Sequence, residues 1–597
     1  MKTKKQDNLD KFLDFILTKN HAKYLTLIVT IGAFLRYLIV KNVSFLGDEM
    51  VHGPHAINMW NSGLISTILE SPTWFYLTDI AHKIFGVTIF STRFLSFFYG
   101  TLTIVLIYLL ARTIFNKRVA IISSILLAIS TYHIRYTLME MDEALIFFVL
   151  LAVYTFIKYF RENNQKYLYL TAILLGTGTL IKTITAFFIP VFVVFFFILT
   201  KNKSLKKNIK SMLIVGLILL TFASPIIIHN VLLYQEKGVV DTYFAQYFDI
   251  NREVHSGQLG YDNAFNIPQV ITGTGDMIKN SFFQLDPLIF ILGIAGMLYA
   301  LKQRKGKESG FLISLFVFGF LILAGSNLLP THYVSFIPFL CIFAALLLVE
   351  ISNKLKNYKK EFIIISIIIL TIANIFLIPQ NLLPHLTSQT ANAPMREFAI
   401  ENIEENSLVV VDSRIYRGRV AWLFNDKHYL ESGYFLQLLA ETEKLPKEQL
   451  VPITTYLVEC AKDDCGWGTI KEGELNTSSE QLVSQFKQIS SQVAEFQSGG
   501  GYDEATGTTH FKVYKAEINL HPASLTFADE THMWFYYPTR YEPKEKGWDY
   551  LSPKGALAKT AHKFGFLIIM LSVLFAILAP FLLFYELKNT KKHIIKK

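Results

Sequence analysis

The chain is expected to fold as an α-helical polytopic membrane protein, a bundle of about twelve spans with an α/β domain before the last. Three observations lead there. Of the 597 residues, 52% are hydrophobic and only 17% charged. The apolar residues arrive in runs approaching the roughly 20 needed to cross a bilayer core. One long polar stretch, 385–560, interrupts them before a final apolar run at 564–586. Such a balance excludes an ordinary soluble protein.

The candidate spans in order are 24–40, 94–110, 119–134, 144–160, 167–181, 184–200, 211–233, 287–301, 310–325, 333–349, 361–379 and 564–586. The first begins late and lacks a small-residue cleavage site, so it reads as a span rather than a cleaved signal. Alternate loops are basic: the N-terminal tail, Lys117-Arg118, Arg161 with Lys166, Lys201 to Lys210, Lys302 to Lys307, Lys354 to Lys360 and the C-terminal tail. Cytoplasmic loops retain Lys and Arg, which puts both termini inside and 41–93, 232–286 and 380–560 outside. A cell-membrane location with an external active face is the corresponding expectation. The formal charge of +10 then reflects topology, not nucleic-acid binding, because the basic clusters sit at span ends.

The expected units are a bundle over 1–380, an extracytoplasmic α/β domain over 385–560, and a last span with a basic tail over 561–597. Within the α/β domain, Pro394–Glu405 reads as a helix and Ser407–Asp412 as a strand. A second helix begins near Arg414, and Val451–Val458 forms another strand. Ser478–Phe496 has helical spacing, Gly499–Gly501 breaks it, and His510–Tyr514 is strand-like. Cys460 and Cys465 fall in this external segment, where a disulfide can persist. Two cysteines without a histidine cluster make a poor zinc site.

Charged residues near the outer ends of spans mark the candidate site. Asp48 and Glu49 follow the first span, and Glu140, Asp142 and Glu143 precede the fourth. Arg36, Arg93, Arg135, Lys182 and His332 lie at the same surface. Each cation alone reads as a snorkelling side chain, Arg36 most readily. As a set at one surface, where charge is costly, they point to a shared anionic ligand such as a lipid phosphate or pyrophosphate. The carboxylates suit proton removal from an attacking hydroxyl. They equally suit oxygen ligation of a divalent ion, Mg or Mn, with Asp48 and Asp142 as its ligands, or internal ion pairs such as Asp48 with Arg135.

Several short motifs share an order with a known family. Phe45-Leu-Gly-Asp48-Glu49 after a span with Arg36, then Ser71-Pro-Thr-Trp-Phe-Tyr76, resemble the opening of the GT-C polyprenyl-phosphate-dependent glycosyltransferases. The likeness is nearest to the protein O-mannosyltransferase and lipid A aminoarabinose transferase branch. Arg93 with Gly100 and Tyr108–Phe115, Ser130-Thr-Tyr-His133-Ile-Arg135-Tyr136, Asp142, Gly176 to Lys182-Thr183, and His332-Tyr333 with Pro338 continue it. The resemblance covers residues 1–200 well and 310–350 loosely, and His332 stands where the family often has Arg.

That resemblance implies a polyprenyl-phosphate-linked sugar donor in the bilayer and an extracytoplasmic acceptor. It implies inversion at the anomeric carbon, Asp48 as catalytic base and Glu49 as its assistant. Arg93, Lys182, Arg135 and His332 would meet the donor phosphate, and His133, Glu140 and Asp142 would line the second acidic region. Two alternatives compete. One is an oligosaccharyltransferase-like enzyme, whose Trp-Trp-Asp motif Trp548-Asp549-Tyr550 resembles in part. The other is a lipid-linked sugar flippase, which would place polar residues at mid-membrane rather than at one surface.

Overall fold

A computed structural model describes residues 21–595 apart from 43–48, 68–69, 139–140, 201–204, 249, 251–266, 326–329, 356–357, 388–390, 416, 462–475, 498–509 and 532–550. Asp48, Glu140, Cys465, Gly499–Gly501 and Trp548-Asp549-Tyr550 therefore lie outside the described residues.

All twelve apolar runs contain helix. The first is α1 (His21–Asn42), followed by the short α2 (Glu49–Ala56) and α3 (Pro72–Phe85). Then come α4 (Ile89–Ile114), α5 (Lys117–Ile129), the single turn α6 (Thr131–Arg135), α7 (Asp142–Glu162) and α8 (Gln165–Ile181). A 3-10 turn (Thr183–Phe188) leads into α9 (Ile189–Leu199), and α10 (Leu205–Lys237) follows. After a helical segment from Ile267, the chain bends by 119° at Asp286 into α11 (Pro287–Lys302). Next are α12 (Lys307–Gly325), a 3-10 turn (Pro330–Phe336), α13 (Ile337–Lys354) and α14 (Lys359–Thr387). Among the described residues, seven helices are individually long and apolar enough to cross a membrane, eight if the bent pair counts as one. The molecule is a multi-pass membrane protein.

Local chemistry sets the boundaries. Thr88 and Ser91 close a capping box at the start of α4, and the Asn116 and Asn164 side chains accept from the first amides of α5 and α8. Pro72 occupies the first turn of α3, where its missing N–H costs nothing. The helix α7 is buried along nearly its whole length against α4 and α8.

The polar stretch forms α15 (Asn392–Asn402), β1 (Leu408–Val411), α16 (Arg417–Leu423), β2 (His428–Glu431) and α17 (Ser432–Thr442). It continues with β3 (Val451–Cys460), α18 (Asn476–Gln488), β4 (Ser491–Gln497), β5 (His510–Leu520) and α19 (Ser524–Thr531). The sheet order is β2-β1-β3-β5-β4, with β1 parallel to both neighbours and the other pairs antiparallel. Alternate residues of β1 feed two cores. Leu408 and Val410 pack with Phe435 and Leu438 of α17 and with Leu482 and Phe486 of α18. Val409 and Val411 pack with Met395 and Ala399 of α15 and with Trp422 and Leu423 of α16.

The helix expected over Ser478–Phe496 is corrected here: it ends at Gln488, and 491–497 is strand β4. This edge strand is mostly exposed, so its period-2 alternation is weak, and pairing with β5 decides the conformation. Strand β2 and helix α17 were not anticipated. Cys460 is disulfide-bonded, and its expected partner Cys465 lies outside the described residues.

The chain ends in α20 (Ala556–Ile595), which packs along α10 and reaches α3, α4 and α8. Thr73 donates to Ser572 Oγ (3.0 Å) and Tyr99 to the Ala576 carbonyl (3.1 Å). Further toward the C-terminus of α20, buried Glu586 accepts from Lys158 Nζ (2.6 Å), Tyr154 (3.0 Å) and Tyr167 (3.3 Å).

Candidate active site

Topology brings the candidate residues to one end of the bundle. Arg36 lies near the C-terminal end of α1, Arg93 in the first turns of α4 and His133 on α6 after α5. Asp142 opens α7, Lys182 follows α8, and His332 lies in the turn before α13.

The most concentrated chemistry is at Asp142, Lys182 and His332. Lys182 Nζ donates to Asp142 Oδ2 at 2.8 Å, and His332 Nδ1 lies 3.0 Å from that oxygen and 3.1 Å from Lys182 Nζ. Asp142 and Lys182 are both buried, and among the described residues Asp142 Oδ1 has no hydrogen-bond partner. Burying a carboxylate oxygen unsatisfied is costly, so a site that retains one marks a functional position. Lys182 is held by a break in its helix. It sits in extended conformation at the end of α8, its N–H bonded to the Gly178 carbonyl, and the chain turns directly into the 3-10 segment. Gly178 permits that fold-back, because a Cβ there would come within 2.8 Å of Thr185. Ser71, at the head of α3, fastens the turn from the other side: its Oγ donates to Thr179 O (2.9 Å) and lies 2.8 Å from Thr183 Oγ1.

A second cluster lies beneath. His133 Nδ1 is 2.9 Å from Arg36 Nη2 and 3.1 Å from Glu143 Oε1, all three residues being fully buried. Gly100 makes room, since a Cβ there would fall 2.9 Å from Glu143 Oε2. Arg36, read from the sequence as a snorkelling side chain, does the reverse. Its guanidinium turns inward and donates to the carbonyls of Gly32 (3.0 Å), Leu127 (3.0 Å) and Ala128 (3.4 Å). The chain supplies inward acceptors at a helix break, which removes the need to reach water.

Glu49 and Arg93 form a third group. Arg93 Nε donates to Glu49 Oε1 at 2.6 Å and Nη2 to Oε2 at 2.5 Å, a buried two-point fork, while Nη1 donates to Val40 O at 3.1 Å. Arg135 is half-buried, with its guanidinium 5.7 Å from the Tyr136 ring.

Glu143, named among the acidic residues before the fourth span but given no role of its own, lies against His133. One residue absent from the sequence reading also matters here. Asp286 is fully buried and accepts from Ser130 Oγ (2.5 Å), Thr131 N (3.1 Å) and Tyr132 N (3.0 Å), capping α6 from 150 residues away. In sequence, Asp-Pro before an apolar run announces only the helix that follows it.

For a divalent ion the described residues are a poor match. Among them no group of three or more His, Cys, Asp or Glu side chains assembles, and Asp142 already faces an ammonium that a cation would have to displace.

Residues 70–229 match the family model described as dolichyl-phosphate-mannose-protein mannosyltransferase. An uncharacterized protein of Aquifex aeolicus (strain VF5) is 29% identical over 191 residues, 30% of this chain and 38% of that protein. The putative mannosyltransferase YkcB of Bacillus subtilis (strain 168) is 26% identical over 168 residues, 28% of this chain and 24% of that one. The chain thus spans well under half the length of these curated relatives. The crystal structure of ArnT from Cupriavidus metallidurans bound to undecaprenyl phosphate superposes with a TM-score of 0.52 at 12% identity, covering 83% of this chain and 98% of that one. In fold, and over the segment that holds Arg93, His133, Asp142 and Lys182, the chain is similar to the GT-C glycosyltransferases that its motifs resemble.

Proposed function

We propose that this protein is a membrane glycosyltransferase that moves a sugar from a polyprenyl-phosphate donor to an extracytoplasmic acceptor with inversion. The observation that carries this reading is the buried Asp142–Lys182 pair inside the matched segment, joined by His332 from outside it, with an Asp142 oxygen that has no hydrogen-bond partner among the described residues.

In this reading the donor's phosphate meets Lys182, His332 and Arg135, with Arg93 behind them. The acceptor hydroxyl attacks the anomeric carbon from the face opposite the phosphate. The new C–O bond forms as the bond from carbon to phosphate oxygen breaks, and the acceptor proton passes to Asp48. Polyprenyl phosphate leaves with the electron pair, and the cations stabilise the charge developing on it. Glu49, forked to Arg93, orients the Asp48 segment, while His133 and the Asp142 region, with Glu140, line the acceptor side.

The active end of the bundle faces away from the cytoplasm, both termini are cytoplasmic, and the membrane is the cell membrane. Residues 385–560 form the extracytoplasmic domain. The lysine distribution supports this orientation.

The test is release of polyprenyl phosphate from radiolabelled undecaprenyl- and dolichyl-phosphate sugars in proteoliposomes. Release by the wild type, lost in folded Asp48→Asn and Lys182→Met proteins, is the expected result. Transbilayer movement of labelled lipid with no release would replace the transferase with a flippase.

A further inference from the structure

We propose that the α/β domain is a brace for α2 and the Glu49 at its head, with α16 as its working face and Trp422 as the positioning residue. The proposal rests on the reading that this segment belongs to the active site.

The argument begins with the weakness of α2. An eight-residue helix has almost no stability of its own, so its position is set by what it packs against. On one side that is α3 and the fork from Arg93; on the other it is α16. Ile57, which follows α2, and Ile89, which opens α4, are both buried in the same apolar cluster as Val409, Trp422, Leu423 and Tyr456. Two residues of the bundle thereby complete a core of the α/β sheet.

A polar junction ties the same surfaces together beside Arg93. Thr92 donates its hydroxyl hydrogen to Thr88 O at 2.8 Å. Its oxygen accepts from Trp422 Nε1 at 3.4 Å, and His82 Nε2 lies 3.2 Å away. With the hydroxyl hydrogen already committed, His82 must donate from Nε2. Burial, assisted by the Arg396 charge, lowers the His82 imidazole to about 3 and keeps it neutral for that role. The domain thus reaches the residue next to Arg93, which grips Glu49. A module that only presented an acceptor would need no such junction.

The experiment uses the full chain in proteoliposomes, comparing wild type with Trp422→Ala, Trp422→Leu, Trp422→Phe and Glu49→Gln. Hydrogen exchange is followed over residues 49–57 and, as an internal control, over 171–185 at the Lys182 turn. Turnover of undecaprenyl-phosphate mannose or dolichyl-phosphate mannose, whichever the wild type uses, is measured at saturating donor. Trp422→Ala is expected to speed exchange of 49–57 by about tenfold while 171–185 stays protected. Turnover is expected to fall about tenfold with donor KM unchanged, and Trp422→Phe to restore most of it.

Unchanged protection of 49–57 in Trp422→Ala overturns the brace, and so does lost protection with undiminished turnover. If Trp422→Ala unfolds both segments, Trp422→Leu, which keeps an apolar side chain but loses the indole, decides by the same criteria. Normal turnover in Glu49→Gln would instead sink the role of the segment in the site, independently of what holds it.

Discussion

Glu49 and Asp142 are buried carboxylates at the same end of one bundle, yet they are held in opposite ways. Both oxygens of Glu49 are taken by a single arginine fork. Asp142 has one oxygen shared between a lysine and a histidine and the other, among the described residues, without a hydrogen-bond partner. The fork's two-point geometry fixes both side chains, as structural scaffolding does. The half-satisfied cluster keeps a place for something more, and its cation is a flexible lysine able to turn toward an incoming phosphate.

The largest effect that tests this contrast is expected on stability at Arg93. Arg93→Met leaves Glu49 buried without its cation, which costs about 3–5 kcal/mol. A double variant, Arg93→Met with Glu49→Leu, removes both charges and should recover much of that loss in denaturation of the detergent-solubilised protein. Failure of the double variant to recover would mean that the fork does more than neutralise a charge.

Next in size is the activity of Lys182. Lys182→Met should reduce donor turnover by about 10²–10³, the usual scale for removing one group that stabilises developing negative charge. Its effect on melting should be smaller than that of Arg93→Met, because Asp142 retains His332 at 3.0 Å. Should Lys182→Met melt early and work normally, the two clusters would have to exchange roles.

How these clusters assemble was only partly legible from the sequence. Lys182 at a turn and Asp142 at the head of a span could each be placed, because both lie at breaks in apolar runs. Their pairing could not, since it depends on how α7, α8 and the turn before α13 pack across 190 residues of chain. Arg36 was misjudged for the same reason: its acceptors are carbonyls of α5, invisible until α1 and α5 lie together. Within the α/β domain, apolar β1 and β3 were readable, whereas edge strand β4 carries too little burial to impose a pattern.

A smaller effect is expected at Asp286, which acts on the site only through α6. Asp286→Asn preserves shape but leaves at most one oxygen to accept the two α6 amides, a loss of about 1–3 kcal/mol. The change should loosen His133 and Arg135 without touching the Asp142–Lys182 pair. Donor turnover should therefore fall less than in Lys182→Met, while exchange of residues 130–136 rises. Equal loss in the two variants would place α6, rather than the lysine cluster, at the centre of the site.

The smallest and most local effect concerns another buried carboxylate, Asp241, which has no salt bridge among the described residues. Its oxygens accept from the Asn230 amide (2.5 Å) and from backbone N–H groups of Tyr243 and Phe244 (2.7 Å to the latter), and burial raises its carboxyl to about 6 from 3.8. A folded-state value above the unfolded one means that the native loop binds the proton more tightly. The resulting stabilisation is complete below pH 4 and lost as pH rises through 6. Opening of residues 238–248, followed by limited proteolysis, should thus increase between pH 5 and pH 7 and then level off. Asp241→Asn, neutral at every pH, should flatten that profile. A pH response that survives Asp241→Asn unchanged would show that this carboxyl is not what the stability of the loop depends on.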